Sequence, residues 1–179
     1  MLGEGAAFLV LESQSHAQMR GATVRGTVAG YGHSTDTGHL TQPDQEGAPL
    51  EKAMRQALDH AGMSPAKIGY VNAHGTGTPF NDGAEAKAMK RLFSGTEARL
   101  SSTKAALGHT LGAAGAIEAV IGLLALKTGC LPPQINLLDP EPDVEGFLVA
   151  QGEKVEIDAV LSVNLGFGGS NAALVLTGK

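Results

Sequence analysis

The sequence predicts an α/β fold on a mixed sheet, and three observations carry the prediction. Short β-rich runs alternate with segments of helical periodicity along most of the chain. Two final β-runs, Ala159 to Leu165 and Ala172 to Leu176, are joined by only Gly166 to Asn171, so they form an antiparallel hairpin. The segment Thr110 to Lys127 has helical length and is apolar on every side, which predicts a buried central helix.

The elements follow in order. Gly5 to Leu11 (GAAFLVL) is a short apolar run suited to a buried strand, and His16 to Arg20 reads as a short helix stopped by Gly21. Val24 to Tyr31 is β-rich, whereas Gly32 to Glu46 is polar and reads as a loop. Leu50, Ala53, Met54, Ala57, Leu58 and Ala61 recur at helical spacing, with Pro49 opening that helix and Gly62 ending it. Ile68 to Ala73 is a buried strand. Asp82 followed by Glu85 has the spacing of a capping box for a helix reaching about Phe93. Leu100 to Lys104 is a short strand, the apolar helix follows, and Pro132 and Pro133 stop it.

Composition sets the outer bounds. A length of 179 residues fits one domain, 1–179, with volume for a real core. The 13 Lys and Arg against 18 Asp and Glu give a net charge of -5, with no basic cluster longer than Lys90-Arg91, so nucleic acid is not an expected partner. Charged residues are 17%, against an average of about 25%, which excludes a disordered chain. The 25 glycines imply close backbone packing and special turns. A single cysteine, Cys130, permits no intrachain disulfide and points to a reducing, cytoplasmic compartment. The first residues lack the basic and apolar regions of a secretory signal. Glu118 interrupts the apolar stretch Leu107 to Leu126, so no membrane association is expected.

Several residues could carry chemistry. Ligands of open α/β sheets sit beyond the carboxyl ends of strands, and His74 follows directly on the strand Ile68 to Ala73. Thr76 and Thr78 beside it offer hydroxyls, although a histidine satisfied within a tight turn explains the same segment. His109 stands at the mouth of the apolar helix, where a neutral imidazole is favoured and can donate to a developing oxyanion. Closing a loop is the competing explanation. Glu118, inside that helix, needs a partner, and Lys104 is the natural one, either as organiser of the two histidines or as a structural ion pair. Asp82 and Glu85 are covered by the capping box.

Phe167 among Gly166, Gly168 and Gly169 makes a mobile aromatic turn able to gate a site or aim backbone N–H groups at an anion. No Gly-Lys-Ser/Thr follows, so nucleotide binding is not expected. His33, Asp36, His39, His74 and His109 lack metal-ligand spacing, so no metal is expected. Cys130 precedes Leu131-Pro132-Pro133 rather than opening a helix, and reads as a buried or half-buried inert thiol.

In this order, GEGAAFLVLES, YVNAHGTGTPFND, SSTKAALGHTLGAAGAIEA, LPPQINL and LGFGGSNAALVL resemble the C-terminal half of a β-ketoacyl-acyl carrier protein synthase. The likeness is greatest to the type II elongating condensing enzymes of the thiolase superfamily, and it covers nearly the whole chain. It implies one thiolase-like half of a five-layered α-β-α-β-α structure. It also implies that His74 and His109 bind the malonyl thioester carbonyl and stabilise the enolate left by decarboxylation. Lys104 then completes the catalytic set with Glu118 as its buried partner, and Asp82 and Glu85 lend support. Thr76 and Thr78 match threonines that hydrogen-bond the pantetheine arm, and Phe167, between Gly166 and Gly168, matches a gating phenylalanine whose N–H helps form an oxyanion hole.

The implied function is an acyltransferase that performs decarboxylative Claisen condensation in fatty acid or polyketide synthesis. No cofactor is implied, because phosphopantetheine arrives on the partner acyl carrier protein; an N-terminal synthase half or a second copy is the other partner. The family's acyl-accepting cysteine has no counterpart here, since Cys130 does not match it. Val163 and Leu165 stand where some members carry an asparagine and an aromatic. Two further readings are a noncatalytic partner for dimerisation or chain-length shaping, and a malonyl-carrier decarboxylase.

Overall fold

The structure, a computed structural model, describes residues 1–178. Ser13 opens α1 (Gln14–Met19) by accepting the His16 N–H at 3.3 Å. β1 (Thr27–Thr35), α2 (Ala48–Ala61), β2 (Ile68–Asn72), α3 (Pro79–Phe93) and β3 (Arg99–Ser101) follow. A short α4 (Lys104–Leu107) and a 3₁₀ turn at Leu111–Ala113 lead into α5 (Ala114–Thr128). After β4 (Cys130–Leu131) and β5 (Glu153–Lys154), which pair with each other in a separate two-stranded sheet, come β6 (Ala159–Gly166) and β7 (Ser170–Thr177).

The main sheet has the order β1-β7-β6-β2-β3. β2 runs parallel to β3 and β6, and β7 runs antiparallel to β6 and β1. The mixed sheet and the terminal hairpin are therefore present as the sequence predicts. Alternation along β6 divides its side chains between two layers. Leu161 and Val163 join Val71, Val175, Met54 and Phe93 under α2 and α3, while Val160 joins Tyr70, Leu176 and Ala119 under α5. α2 lies very close to β1, because a Cβ on Gly30 or Gly32 would overlap the carbonyl oxygens of Ala57 and Ala53.

Three elements differ from expectation. Gly5 to Leu11 forms no strand and is largely exposed, with Phe8 95% and Val10 84% accessible. An apolar run becomes a buried strand only beside a ladder partner, and the main sheet ends at β1 and β3 without taking it. β1 extends through His33, Ser34 and Thr35, inside the expected loop, because small residues at Gly30, Gly32 and Ser34 suit the face against α2. α5 ends at Gly129 in a left-handed cap, before the two prolines. It is also not buried all round. Ala114, Glu118, Ala119, Gly122 and Ala125 form its buried stripe, whereas Leu124 is exposed with no cover among the described residues. The apolar stretch Leu111–Thr128 is long enough to cross a membrane, but its stripe packs on the sheet and its Glu118 meets Lys104.

Candidate active site

β2 ends at Asn72, and the chain then turns sharply past Ala73 into His74, which is 5% exposed. The turn is held from two sides. Ala73 N–H donates to Ser101 O at 2.9 Å, and Gly75 takes a positive φ of 44° with Ser102 filling the space where a Cβ would point. From α3, the buried carboxylate of Glu85 accepts the N–H groups of His74 at 2.7 Å and Gly75 at 2.8 Å. Asp82 accepts the Gly77 N–H at 3.2 Å.

The capping-box reading of this acidic pair is therefore corrected. α3 begins at Pro79, so Asp82 is already within its first turn, and its acids hold the 74–77 loop instead of the helix end. Burial, opposed by the His74 and Gly75 N–H groups, pushes Glu85 up to about 7.

Lys104, at the start of α4, joins two other side chains. Its Nζ contacts the Glu118 carboxylate and lies 3.3 Å from His74 Nδ1. All three are buried. Burial raises Glu118, and the Lys104 charge and the Asn164 amide oppose that rise. Burial, then the Lys104 charge and His109, lower His74 to about 3, so it is neutral at physiological pH.

Donor and acceptor roles follow from chemistry. An ammonium only donates, so His74 Nδ1 accepts and its ring proton sits on Nε2. His109 Nδ1 accepts the Leu111 N–H at 3.3 Å, which places its proton on Nε2 as well. The two rings meet edge to face with centroids 5.4 Å apart. The site thus holds two neutral imidazoles, each fixed as an Nε2–H donor. His109 is also lowered, but not by a helix N-terminus: α5 begins five residues later, and burial followed by the Lys104 charge is the cause.

A cavity of about 270 Å³ opens beside this cluster, with Thr76, Glu85, Lys104 and His109 on its polar side and Met89 and Leu100 on its apolar side. The Thr76 and Thr78 hydroxyls pair at 2.9 Å, Thr78 being exposed. Gly166, Phe167 and Gly168 form the β6–β7 turn and do not line the cavity; Phe167 is 82% exposed. That turn is tied to the 36–40 loop by Gly168 N–H to Leu40 O and Asp36 N–H to Gly169 O, both 2.7 Å. Cys130 is exposed, which corrects the expectation of a buried thiol: only two residues separate the end of α5 from Leu131, and the side chain points outward on the small β4–β5 ladder. No group of three metal-ligating side chains occurs among the described residues.

Sequence reasoning missed Asn164, whose amide acts on both His74 and Glu118. Its signal was the period-two alternation of β6, which puts residue 164 on the α5 face with Val160.

Known proteins repeat this chain's pattern. Residues 25–138 match the family described as beta-ketoacyl synthase, C-terminal domain. The 3-oxoacyl-[acyl-carrier-protein] synthase 2 of Coxiella burnetii is 43% identical over 180 residues, which cover 99% of this chain and 44% of that protein. The chain thus spans less than half the length of this curated relative. The ishigamide ketosynthase/chain length factor superposes with a TM-score of 0.93 at 37% identity, over 100% of this chain and 44% of that one. A type II polyketide ketosynthase solved with its acyl-carrier protein gives 0.87 at 32% identity, over 94% and 42%. Motif order, a thiolase-like sheet and family match agree, and the chain belongs to the β-ketoacyl synthase family as its C-terminal half.

Proposed function

We propose that this chain supplies the enolate-stabilising half of a condensing acyltransferase that acts on malonyl-acyl carrier protein in fatty acid or polyketide synthesis. The observation that carries the proposal is the pair of neutral imidazoles, each with its proton on Nε2. The malonyl thioester oxygen accepts both Nε2–H bonds. Cleavage of the bond to the carboxylate releases carbon dioxide and leaves the electron pair on an enolate, whose oxygen these donors stabilise. The enolate carbon then attacks an acyl thioester on a cysteine supplied by a complementary N-terminal half, and the cysteine leaves as thiolate. Lys104 holds His74 in the required tautomer, and Glu118 holds Lys104.

Thr76 and Thr78 receive the pantetheine arm and Phe167 gates it, with Gly166 and Gly168 giving the turn its freedom. The chain needs no cofactor of its own, because phosphopantetheine comes with the carrier. The single cysteine favours a reducing cytoplasm. The exposed apolar residues Phe8 and Val10 suit a segment that joins the sheet of the complementary half.

The ketosynthase/chain length factor likeness favours a second reading, a noncatalytic partner that shapes chain length. Carbon dioxide release from malonyl-carrier protein separates the readings. The first predicts release when the chain is mixed with a cysteine-bearing half, together with a condensed product. Release by the isolated chain without condensation in the mixture favours a decarboxylase, and silence in both supports the noncatalytic partner.

A further inference from the structure

The first residues cross the loop that carries His109. The Met1 carbonyl oxygen accepts the His109 N–H at 3.0 Å, and the Gly3 N–H donates to His109 O at 3.1 Å. These two bonds make an isolated parallel bridge between Leu2 and His109. Both polar backbone groups of His109 are thus taken up by one strap, residues 1–5. Its side chains do little to hold it, because Met1, Leu2 and Glu4 are exposed. What seats it is the close approach of two glycines.

Gly108 ends α4, donates its N–H to Lys104 O at 2.8 Å and takes a φ of 77°, which turns the chain toward His109. Gly3 lies against it. A Cβ on Gly3 would overlap the Leu107 carbonyl oxygen and stand 3.1 Å from Gly108 Cα, and a Cβ on Gly108 would stand 2.7 Å from Gly3 N. These neighbours are backbone atoms, which cannot swing aside as a side chain can, so a side chain at position 3 lifts the strap. The crowding at Gly5 is of another kind, since a Cβ there would meet the movable tip of Ile117 at 2.9 Å.

We infer that Gly3 is a positioning residue: packed against Gly108, it seats the strap whose two hydrogen bonds set where the His109 ring stands against His74. Among the described residues the ring has one hydrogen bond, and it is local, from the Leu111 N–H to Nδ1 at 3.3 Å. The backbone therefore decides the placement of the ring, which meets His74 edge to face with centroids 5.4 Å apart. With the strap lifted, Gly108 keeps its bond to Lys104 O, but His109 loses both backbone partners and moves off His74. A donor misplaced by about 1 Å can cost about 10²-fold in rate, so this seat bears on the reaction. The inference rests on the reading of the two imidazoles as paired donors, but its test reads ring geometry rather than turnover, so the two fail separately.

The experiment is NMR on the full chain with labelled histidine, comparing the parent with Gly3→Ala. The parent should show a nuclear Overhauser contact between the His74 and His109 rings, with slow amide exchange at Gly3 and His109 together. Gly3→Ala should lose the ring contact and speed exchange of the His109 amide about tenfold, the scale of one lost hydrogen bond. Gly32→Ala is crowded as hard, against the Ala53 carbonyl of α2, and should keep the ring contact. An intact ring contact or unchanged His109 exchange in folded Gly3→Ala overturns the inference, and so does loss of the contact in Gly32→Ala as well. If Gly3→Ala does not fold, the parent decides. Shared protection of the Gly3 and His109 amides supports the strap, whereas a freely exchanging Gly3 amide beside a protected His109 amide shows that the strap does not hold the loop.

Discussion

Lys104 Nζ stands between the Glu118 carboxylate and His74 Nδ1, 3.3 Å from the imidazole nitrogen, with all three side chains buried. A buried carboxylate of this kind is supported by its partner, so the pair is coupled in stability as well as in placement. Lys104→Met should cost about 3 kcal/mol or more, the usual scale for stripping one member from a buried pair. Lys104→Met with Glu118→Leu should recover much of that loss, because the double variant leaves no charge behind. Urea unfolding of the two variants measures the difference, and equal losses would show that the pair is not coupled.

Glu85 gives a pH signature. Its value rises from 4.5 unfolded to about 7 folded, so the folded state binds the extra proton between those values. That contribution is present below about 4.5 and is lost as pH rises through 7. Glu85→Gln removes the dependence, so its stability relative to the parent chain should climb from pH 4.5 to pH 7. His74 works in the opposite sense. Its value falls from 6.5 to about 3, so its contribution is present above about 6.5 and is lost as pH falls toward 3. The two oppose each other between 4.5 and 6.5, and unfolding of parent and Glu85→Gln chains at several pH values separates them.

Gly32→Ala should destabilise by about 1–3 kcal/mol, the range for overpacking, because the new Cβ meets the backbone of α2 at Ala53. Gly62→Ala is the useful contrast. Nothing lies within 4 Å of its Cβ, and only the positive φ of 62° is strained. Thermal unfolding of both should give the larger loss at Gly32.

Cys130 should react with a thiol reagent in the native chain as completely as in urea, since its side chain is exposed. Protection in the native state would restore the buried thiol that the sequence suggested.

Much of this site is legible in the sequence, for reasons that differ by residue. His74 is found because a turn directly after a β-run lies where open sheets bind ligands, and the Lys104–Glu118 pair because a carboxylate in an apolar helix demands a cation. The hairpin is legible because a short loop permits only one geometry. Glu85 misleads because its spacing from Asp82 fits a local cap, whereas its actual partners are the N–H groups of His74 and Gly75. Gly5 to Leu11 misleads because apolarity predicts burial without saying which strand provides it. The all-round apolarity of α5 has the same limit: within this chain only one stripe is covered. Asn164 was missed because the alternation of β6 places it on the α5 face without marking it as an influence on two titrating groups.

The central claim is that His74 and His109 together stabilise the enolate. Condensation of malonyl-carrier protein with an acyl primer, by this chain complemented with a cysteine-bearing half, tests it most directly in His74→Ala and His109→Ala variants. The account predicts that each single variant falls by about 10²- to 10³-fold, the cost of losing one preorganised oxyanion donor. Near-normal condensation by either variant would contradict it.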